Sequence, residues 1–286
     1  MHSPVIPALA LVALVAASFA GEPREEPGSS NRAGAGRSAG RYADVNGLKM
    51  YYEVHGTGRP LVTLHGAFGQ AMVLPVLAKD RQLIAVELQG HGHTADVDRP
   101  LSPEQMADDV ATLLGHLNIP RADVFGYSMG GEVGLALAIR HPELVRRLAI
   151  NGANAGRLKE TFEPASFEQF RNLPADFAPP ILKEPYERTN PDPKHWPVLV
   201  AKVKQMGLDF KGFGRADLQK IKAPTLIALG DRDGVRPEHA VEMFRSIPNA
   251  QLAIFPGGDH FMIFQTPERL LPPVVAFFDA PDGKPQ

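Results

Sequence analysis

The sequence of 286 residues contains no cysteine. Without a thiol, the chain can form no disulfide framework, no thiolate zinc site and no iron–sulfur cluster, and it cannot use a cysteine nucleophile. It also lacks a large excess of charge of either sign, since it contains 30 basic and 32 acidic residues. Because nucleic-acid binding relies on a positive field that attracts phosphates, we expect no nucleic-acid partner.

The remaining composition is that of a globular protein. Hydrophobic residues make up 44% of the chain and charged residues 22%, which excludes disordered, collagen-like and coiled-coil chains. A chain of this length can bury a core without disulfides or a structural metal. Glycine and proline are plentiful, with 27 of each, so we expect many tight turns between short elements.

The N-terminus carries a pattern typical of export. Residues 5–17 are apolar without interruption, and Ser18 and Ala20 place small residues at the −3 and −1 positions before Gly21. The pattern predicts a signal peptide over 1–20, cleaved after Ala20, and hence a secreted or periplasmic protein without stable membrane insertion. A signal peptide usually begins with a positively charged region, but the first three residues contain no Lys or Arg. The alternatives are an uncleaved N-terminal anchor and a misassigned start codon. Residues 21–40 are almost free of apolar side chains and predict a disordered linker.

From Arg41 onward, short apolar runs alternate with segments of helical period, which predicts an α/β fold with a mostly parallel sheet. Ser102 is expected to cap a helix, with Gln105 three residues on, and a second helix is expected over about 129–140. Residues 154–222 contain many prolines, scattered aromatic rings and no clear strand. Such an irregular insertion indicates a lid or binding element, although its rings could equally form a small core of their own. The predicted strands are 48–54, 60–64, 83–88, 122–125, 147–150, 225–229 and 251–255.

One motif indicates nucleophilic chemistry. Residues 126–131 read G-x-S-x-G-G between a predicted strand and a predicted helix. A serine on such a sharp turn takes strained backbone angles, which point its hydroxyl outward. The following helix aims N–H groups at the place where negative charge would develop. We therefore predict that Ser128 is a nucleophile. The alternative is that the motif is only a Gly/Ser turn in which the serine caps the following helix.

A serine nucleophile needs a base that an acid orients. Asp231 and Asp233 follow the strand at 225–229, and Asp259 and His260 follow the strand at 251–255. The carboxyl ends of parallel strands are where catalytic groups converge. The chain therefore offers one base and three candidate acids.

With these motifs, the sequence resembles the α/β-hydrolase fold proteins over roughly 41–280. The matched features are His65-Gly66, the Gly-His-Gly turn at 90–92, the Ser128 elbow, the segment 230–233 and the turn 258–260. The resemblance implies a parallel sheet flanked by helices, with the insertion between the sixth and seventh strands as a lid or cap. It also implies that His260 is the base and Asp233 the acid, with Asp231 and Asp259 as alternatives.

The resemblance further implies an oxyanion hole made of the backbone N–H of Met129 and that of Ala67, with Phe68 as the near alternative. We expect Phe68, Tyr127 and Trp196 to contact the substrate. No metal and no cofactor are expected. The resemblance implies that His65 and His91 mark turns packed beside the site, and no carboxylate stands at a zinc-ligand spacing from His65, His91 or His93.

The expected activity is hydrolysis of small-molecule carboxylic esters through an acyl-enzyme. Dehalogenases and epoxide hydrolases of this fold carry Asp at the elbow, where this chain has Ser128, and esterases with a His-Gly-Gly-Gly loop also differ. The residues leave three alternatives open: a cofactor-free perhydrolase (haloperoxidase), a carbon–carbon bond hydrolase, and a non-catalytic binding protein. Acyl and alcohol preference and oligomeric state cannot be predicted from the pattern.

Overall fold

The computed structural model describes residues 40–281. The predicted signal peptide, and the predicted linker apart from Gly40, lie outside the described residues. The described part is built around an eight-stranded sheet. Its strands are β1 (Arg41–Val45), β2 (Leu48–His55), β3 (Arg59–Leu64), β4 (Arg81–Val86), β5 (Ala122–Tyr127), β6 (Val145–Asn151), β7 (Thr225–Gly230) and β8 (Ala250–Phe255).

The sheet is parallel except at one edge. Its strand order is β1-β2-β4-β3-β5-β6-β7-β8, in which β2 runs antiparallel to both β1 and β4. Strands β3 to β8 run parallel to one another. Since Gly230 of β7 is level with Phe255 of β8, the turns after these two strands start at the same height. The topology therefore brings the two turns together at the carboxyl edge of the sheet.

Helices cover both faces of the sheet. None of the helices within residues 40–281 is long and apolar enough to cross a bilayer. The helices are α1 (Pro75–Ala78), α2 (Pro103–His116), α3 (Met129–Arg140), α4 (Leu158–Thr161), α5 (Pro164–Arg171), α6 (Pro180–Thr189), α7 (Trp196–Asp209), α8 (Arg215–Leu218), α9 (Pro237–Ser246), α10 (Met262–Gln265) and α11 (Pro267–Asp279).

The two faces bury separate apolar clusters. On one face, residues of α2, α3 and α9, such as Met106, Val133 and Met243, pack against the sheet. On the other face, Phe278 of α11 and Leu77 of α1 do so. Strands covered on both sides are rich in apolar residues. Every residue of β5, β6 and β7 is buried, and the buried charges of Asp123 and Arg146 pair with each other. This three-layer arrangement holds the carboxyl ends of the central strands in fixed positions.

The structure confirms the predicted α/β class and all seven predicted strands, whose ends differ by two residues or fewer. It also confirms the cap of α2, because Ser102 Oγ accepts a hydrogen bond from the N–H of Gln105 at 3.1 Å. Strand β1 was missed. Only two of its five residues are buried, so its sequence carries almost no apolar pattern.

The insertion between β6 and β7 is helical rather than irregular, which corrects the sequence expectation. It contains α4 to α8 and a short 3₁₀ turn. Prolines stand in the first turn of α5, α6 and α7, where the missing N–H has no partner to lose. The prolines therefore begin helices here, although the same residues suggested irregular structure in the sequence.

Polar contacts fasten the insertion to the loop after β4. The Nζ of Lys202 on α7 donates to Asp96 Oδ2 at 2.6 Å, and His195 Nε2 lies 2.8 Å from the same oxygen. The side-chain amide of Asn190 donates to the carbonyl of Gly92 at 2.9 Å. Asp96 is nearly enclosed, with 7% of its side chain exposed, so this ion pair is shielded from water. These contacts hold the insertion against the loop after β4.

Candidate active site

Ser128 occupies the single position between β5 and α3. Its backbone has φ 53° and ψ −122°, a conformation that residues other than glycine rarely adopt. The turn closes tightly, because a Cβ on Gly126 would lie 2.4 Å from the carbonyl oxygen of Gly130. A glycine is therefore required at position 126. The strained turn places the serine hydroxyl at the carboxyl edge of the sheet, as the sequence motif predicted.

Neighbouring glycines let the loop after β3 approach the serine. A Cβ on Gly130 would lie 2.2 Å from the carbonyl oxygen of Leu64, and one on Gly66 would lie 3.2 Å from Ser128 Cβ. These distances show direct contact between the start of α3 and the loop that begins at His65. The loop therefore borders the serine from the side of β3.

Asp233 and His260 come from the turns after β7 and β8. His260 Nε2 lies 3.0 Å from Ser128 Oγ, and His260 Nδ1 lies 2.9 Å from Asp233 Oδ1. The two turns touch, since a Cβ on Gly230 would lie 1.9 Å from the carbonyl oxygen of Gly258. The structure therefore brings all three predicted side chains into one hydrogen-bonded chain, in which each contact lies within hydrogen-bond reach.

The alternative acids are engaged elsewhere. Asp231 Oδ1 accepts a hydrogen bond from the N–H of Gly257 at 2.6 Å, and Asp259 Oδ1 accepts one from Phe261 at 2.8 Å. Both carboxylates thus stabilise turns near the site. Asp233 is the carboxylate that contacts the imidazole, and its Oδ1 also accepts from the N–H of Val235 at 3.0 Å.

The charge of Asp233 sets the proton affinity of His260. Burial alone lowers the pKa of His260, but the negative charge of Asp233 and its hydrogen bond outweigh burial, and Asp259 and Glu132 add to them. The pKa of His260 is therefore above its ordinary value. A raised pKa suits a base that must accept a proton from a hydroxyl group.

Gly152, directly after β6, lies against the acid and the base. Its φ is 60°, and an added Cβ would lie 2.9 Å from Asp233 Oδ2 and 3.0 Å from His260 Nδ1. Asp233 Oδ2 is buried and has no hydrogen-bond partner among residues 40–281. A glycine at position 152 therefore leaves the room that the acid–base pair occupies, a requirement that the sequence analysis missed.

Two backbone N–H groups in the segments next to the serine are predicted to bind an oxyanion. The turn from Gly66 to Gly69 closes through a 3.0 Å hydrogen bond between the N–H of Gly69 and the carbonyl of Gly66, and Phe68 within it has φ 63°. In the part of the chain that the structure describes, no hydrogen-bond acceptor is assigned to the N–H of Ala67 or of Met129. Both donors are therefore free of protein partners, and their role as an oxyanion hole stays a prediction.

The buried histidines near the site are held as neutral rings. His65 Nδ1 lies 2.8 Å from the carbonyl of Gly66, while its Nε2 accepts from the N–H of Leu88 at 3.1 Å. Burial lowers the pKa of His65 to about 3, with a contribution from His91, and burial lowers that of His91 to about 4. The two rings are in contact at a centroid distance of 5.0 Å and are tilted by 47° to each other. They support the loops beside the site as uncharged packing residues.

The predicted substrate-binding aromatics are less exposed than expected. Phe68 is partly exposed and packs on Phe177 and Trp196. Trp196 is 2% exposed, and its indole N–H donates to the carbonyl of Phe177 at 2.7 Å. Tyr127 is 5% exposed, and its ring lies against that of His260 at a tilt of 39°. Of the three rings, Phe68 therefore has the most exposed surface, and substrate contact by Phe68, Tyr127 and Trp196 stays a prediction.

Glu132 is a site residue that the sequence analysis missed. It lies in the first turn of α3, and its carboxylate oxygen Oε1 accepts from the side-chain amide of Asn154 at 2.5 Å. Burial raises the pKa of Glu132 to about 8. A lone acidic residue in a helix of otherwise small and apolar residues near the nucleophile was the available signal.

Comparison with known proteins identifies the family. The model of the alpha/beta hydrolase family matches residues 54–272, which include the serine, acid and base described above. The chain belongs to the alpha/beta hydrolase family. This alpha/beta hydrolase is 29% identical over 254 residues to RutD of Azorhizobium caulinodans, named by inference a carbamate hydrolase, with 79% of this chain and 94% of RutD covered.

Two further similar proteins have names that refer to the cleavage of other types of bond. The alpha/beta hydrolase is 27% identical to the sn-1-specific diacylglycerol lipase ABHD11 of Mus musculus, over 84% of this chain and 89% of the lipase. Among solved structures, the meta-cleavage product hydrolase CumD of Pseudomonas fluorescens IP01 superposes with a TM-score of 0.70 at 24% identity, over 84% of this chain and 97% of CumD. The structural likeness establishes the shared fold.

Proposed function

We propose that this alpha/beta hydrolase cleaves carboxylic esters through an acyl-enzyme intermediate. The observation that carries the proposal is the chain of contacts from Ser128 Oγ through His260 to Asp233, with distances of 3.0 and 2.9 Å. Such a chain activates a serine hydroxyl, which by itself is a weak nucleophile at neutral pH.

In the proposed mechanism, Ser128 Oγ attacks the ester carbonyl while His260 Nε2 accepts the hydroxyl proton. Asp233 holds the ring with Nδ1–H toward itself and stabilises the imidazolium that forms. The tetrahedral oxyanion is bound by the N–H groups of Met129 and Ala67. Each donor of this kind is worth about 3–4 kcal/mol in the transition state.

The intermediate then collapses. His260 donates its proton to the leaving alcohol, which departs and leaves the acyl group on Ser128. Water enters, gives a proton to His260 and attacks the acyl carbonyl; collapse returns the proton to Ser128 Oγ and releases the carboxylic acid. Every proton taken by the imidazole is thus returned within one cycle.

Ester cleavage is favoured by the type of nucleophile and by one relative. Ser128 at the elbow is a residue that forms acyl esters, and the ABHD11 relative is named a diacylglycerol lipase. The partly exposed Phe68 offers an apolar surface beside the serine, which fits an uncharged acyl group. We also propose export to the periplasm or the medium, on the basis of residues 1–20.

The test is a chain-length series of p-nitrophenyl esters, from acetate to decanoate, with wild type and Ser128→Ala. Removal of the nucleophile is expected to lower kcat by about 10⁴- to 10⁶-fold, while circular dichroism stays unchanged. Undiminished turnover by Ser128→Ala would refute the proposal.

The alternatives give different outcomes in parallel assays. Wild type that brominates a dye in the presence of peroxide, acetate and bromide, but leaves the esters intact, would be a perhydrolase, because the peracid it forms oxidises bromide. Cleavage of a ring-fission diketone without ester turnover would indicate a carbon–carbon bond hydrolase. A chain that a fluorophosphonate probe fails to label at Ser128 would be a binding protein.

A further inference from the structure

Glu132 is a buried titratable group that the mechanism above does not use. Its backbone N–H donates to the carbonyl of Ser128 at 3.2 Å, so it stands one helical turn from the nucleophile. It is the one acidic residue of α3, whose other first-turn residues are Met129 and two glycines. A carboxyl group in this place is costly to bury unless it has partners.

One oxygen of Glu132 has a fixed role. Its Oε1 accepts from the side-chain amide nitrogen of Asn154. The orientation of that amide is set by the rest of its contacts, because Asn154 Oδ1 accepts from the N–H of Gly156 at 2.9 Å and from Thr161 Oγ1 at 3.3 Å. Asn154 is 1% exposed. Glu132 Oε1 is therefore held as an acceptor, and any proton on the carboxyl group is carried by Oε2.

The other oxygen, Oε2, is not held by the protein. Within residues 40–281 it has no hydrogen-bond partner, and it is not among the fully buried polar atoms that lack one. Glu132 as a residue is partly exposed. When ionised, its carboxylate is close enough to His260, the ring that contacts Ser128, to raise the pKa of that ring. Oε2 is therefore an accessible polar atom about one helical turn from the nucleophile.

We propose that Glu132 is a specificity-determining residue, whose Oε2 donates a hydrogen bond to an acceptor oxygen that the substrate carries close to its scissile ester. The acceptor is a carbonyl or ether oxygen of the acyl or alcohol part. The inference rests on the proposed ester hydrolysis and adds the substrate class to it.

The protonation state of Glu132 agrees with a donor role. Burial raises its pKa to about 8, while the Asn154 hydrogen bond and the charge of His260 lower it, and the negative charge of Glu104 at the start of α2 raises it. At pH 7 the carboxyl group is mostly protonated. Above pH 8 it loses its proton, and the resulting negative charge would repel the same acceptor.

The experiment compares isosteric esters that differ by one oxygen. For the acyl part, the pair is p-nitrophenyl methoxyacetate and p-nitrophenyl butyrate; for the alcohol part, it is 2-methoxyethyl butyrate and butyl butyrate. The readout is the ratio of kcat/KM for the ether ester to that for the alkyl ester. Intrinsic reactivity cancels when this ratio is compared between proteins.

Glu132→Leu is expected to lower the ratio about 5- to 10-fold in at least one pair, because one hydrogen bond to the substrate is lost. Glu132→Gln is expected to keep it within about 2-fold, since its oxygen can accept from Asn154 while its NH₂ group replaces the O–H of Oε2. Glu143→Leu, which replaces an exposed carboxylate on the surface, is the control, and its ratio shows how much the measured ratio varies without a change near the site.

The pH dependence gives a second readout that a purely structural role would not move. In wild type the ratio is expected to fall between pH 7 and 9.5 with a midpoint near 8, whereas in Glu132→Gln it stays flat. Titration of His260 affects both esters of a pair equally and cancels. This readout needs only wild type if Glu132→Leu does not fold.

An unchanged ratio in Glu132→Leu, or a wild-type ratio that rises with pH, would overturn the inference. In that case Glu132 serves only to hold Asn154, or it binds a cation as a carboxylate. Wild type that cleaves neither ester of either pair would instead refute ester hydrolysis itself, so the two failures are distinguishable.

Discussion

Gly152→Ala tests whether the backbone after β6 fixes the acid–base pair. An alanine Cβ at this position would lie 2.9 Å from Asp233 Oδ2, 3.0 Å from His260 Nδ1 and 3.2 Å from His260 Cε1. To restore ordinary van der Waals contact, the pair must move by roughly half an ångström. The movement stretches the contact of His260 with Ser128, which is 3.0 Å in the structure.

The expected loss of activity follows from that displacement. A misplacement of about 1 Å in a catalytic group can cost about 100-fold, so we expect kcat/KM for p-nitrophenyl butyrate to fall about 10- to 100-fold in Gly152→Ala. Because φ is 60° at this position, the alanine also costs about 1–2 kcal/mol of stability. For a domain of this size, that corresponds to a decrease in Tm of about 2–8 °C.

Gly47→Ala is the matched control. Gly47 lies in the turn between β1 and β2 with φ 80°, and an added Cβ would have no atom within 4 Å. It should therefore lose a similar amount of Tm by thermal denaturation, while its kcat/KM stays within about 2-fold of wild type. The reasoning is refuted if Gly152→Ala keeps wild-type kcat/KM, or if Gly47→Ala loses as much activity as Gly152→Ala.

Two further substitutions probe the acid and the insertion. Asp233→Asn should lower kcat about 10³- to 10⁴-fold. Since the charge of Asp233 raises the pKa of His260, the acid limb of the kcat/KM–pH profile should also move to lower pH. An unmoved limb would contradict the assignment of Asp233 as the acid that contacts His260. Asp96→Ala leaves Lys202 without its carboxylate partner and should lower the free energy of unfolding by about 1–3 kcal/mol. Amide hydrogen exchange should then become faster in α7 than in α2, relative to wild type. An equal increase in both helices would show that the ion pair does not hold the insertion in place.

The parts of the fold that could be predicted are those in which packing requires a simple pattern of apolar residues in the sequence. Strands β5 to β7 are covered on both faces, so each contains a short apolar run that the sequence reveals. Strand β1 has one partner and faces water, and its alternation over five residues is too short to recognise. The position of β4 was set two residues too late because its first residue, Arg81, is polar and yet buried.

The site could be predicted as far as it depends on local turns. The glycines around Ser128 and the order of acid and base follow from strand ends, which sequence indicates well. The contribution of Gly152 could not be predicted, because it depends on how three separate turns approach one another. Trp196 illustrates the same limit, since its contacts with Phe177 and Tyr186 join parts of the insertion that the sequence alone does not bring together.

The central claim is that Ser128 carries the acyl group. It is tested most directly by mixing the protein with p-nitrophenyl trimethylacetate, whose bulky acyl group slows deacylation, followed by acid quenching and mass spectrometry of the peptides. We predict a trimethylacetyl adduct on the peptide that contains Ser128, formed in proportion to the p-nitrophenolate released, and no adduct in Ser128→Ala. Release of p-nitrophenolate by Ser128→Ala at the wild-type rate, or an adduct on another residue, would contradict the claim.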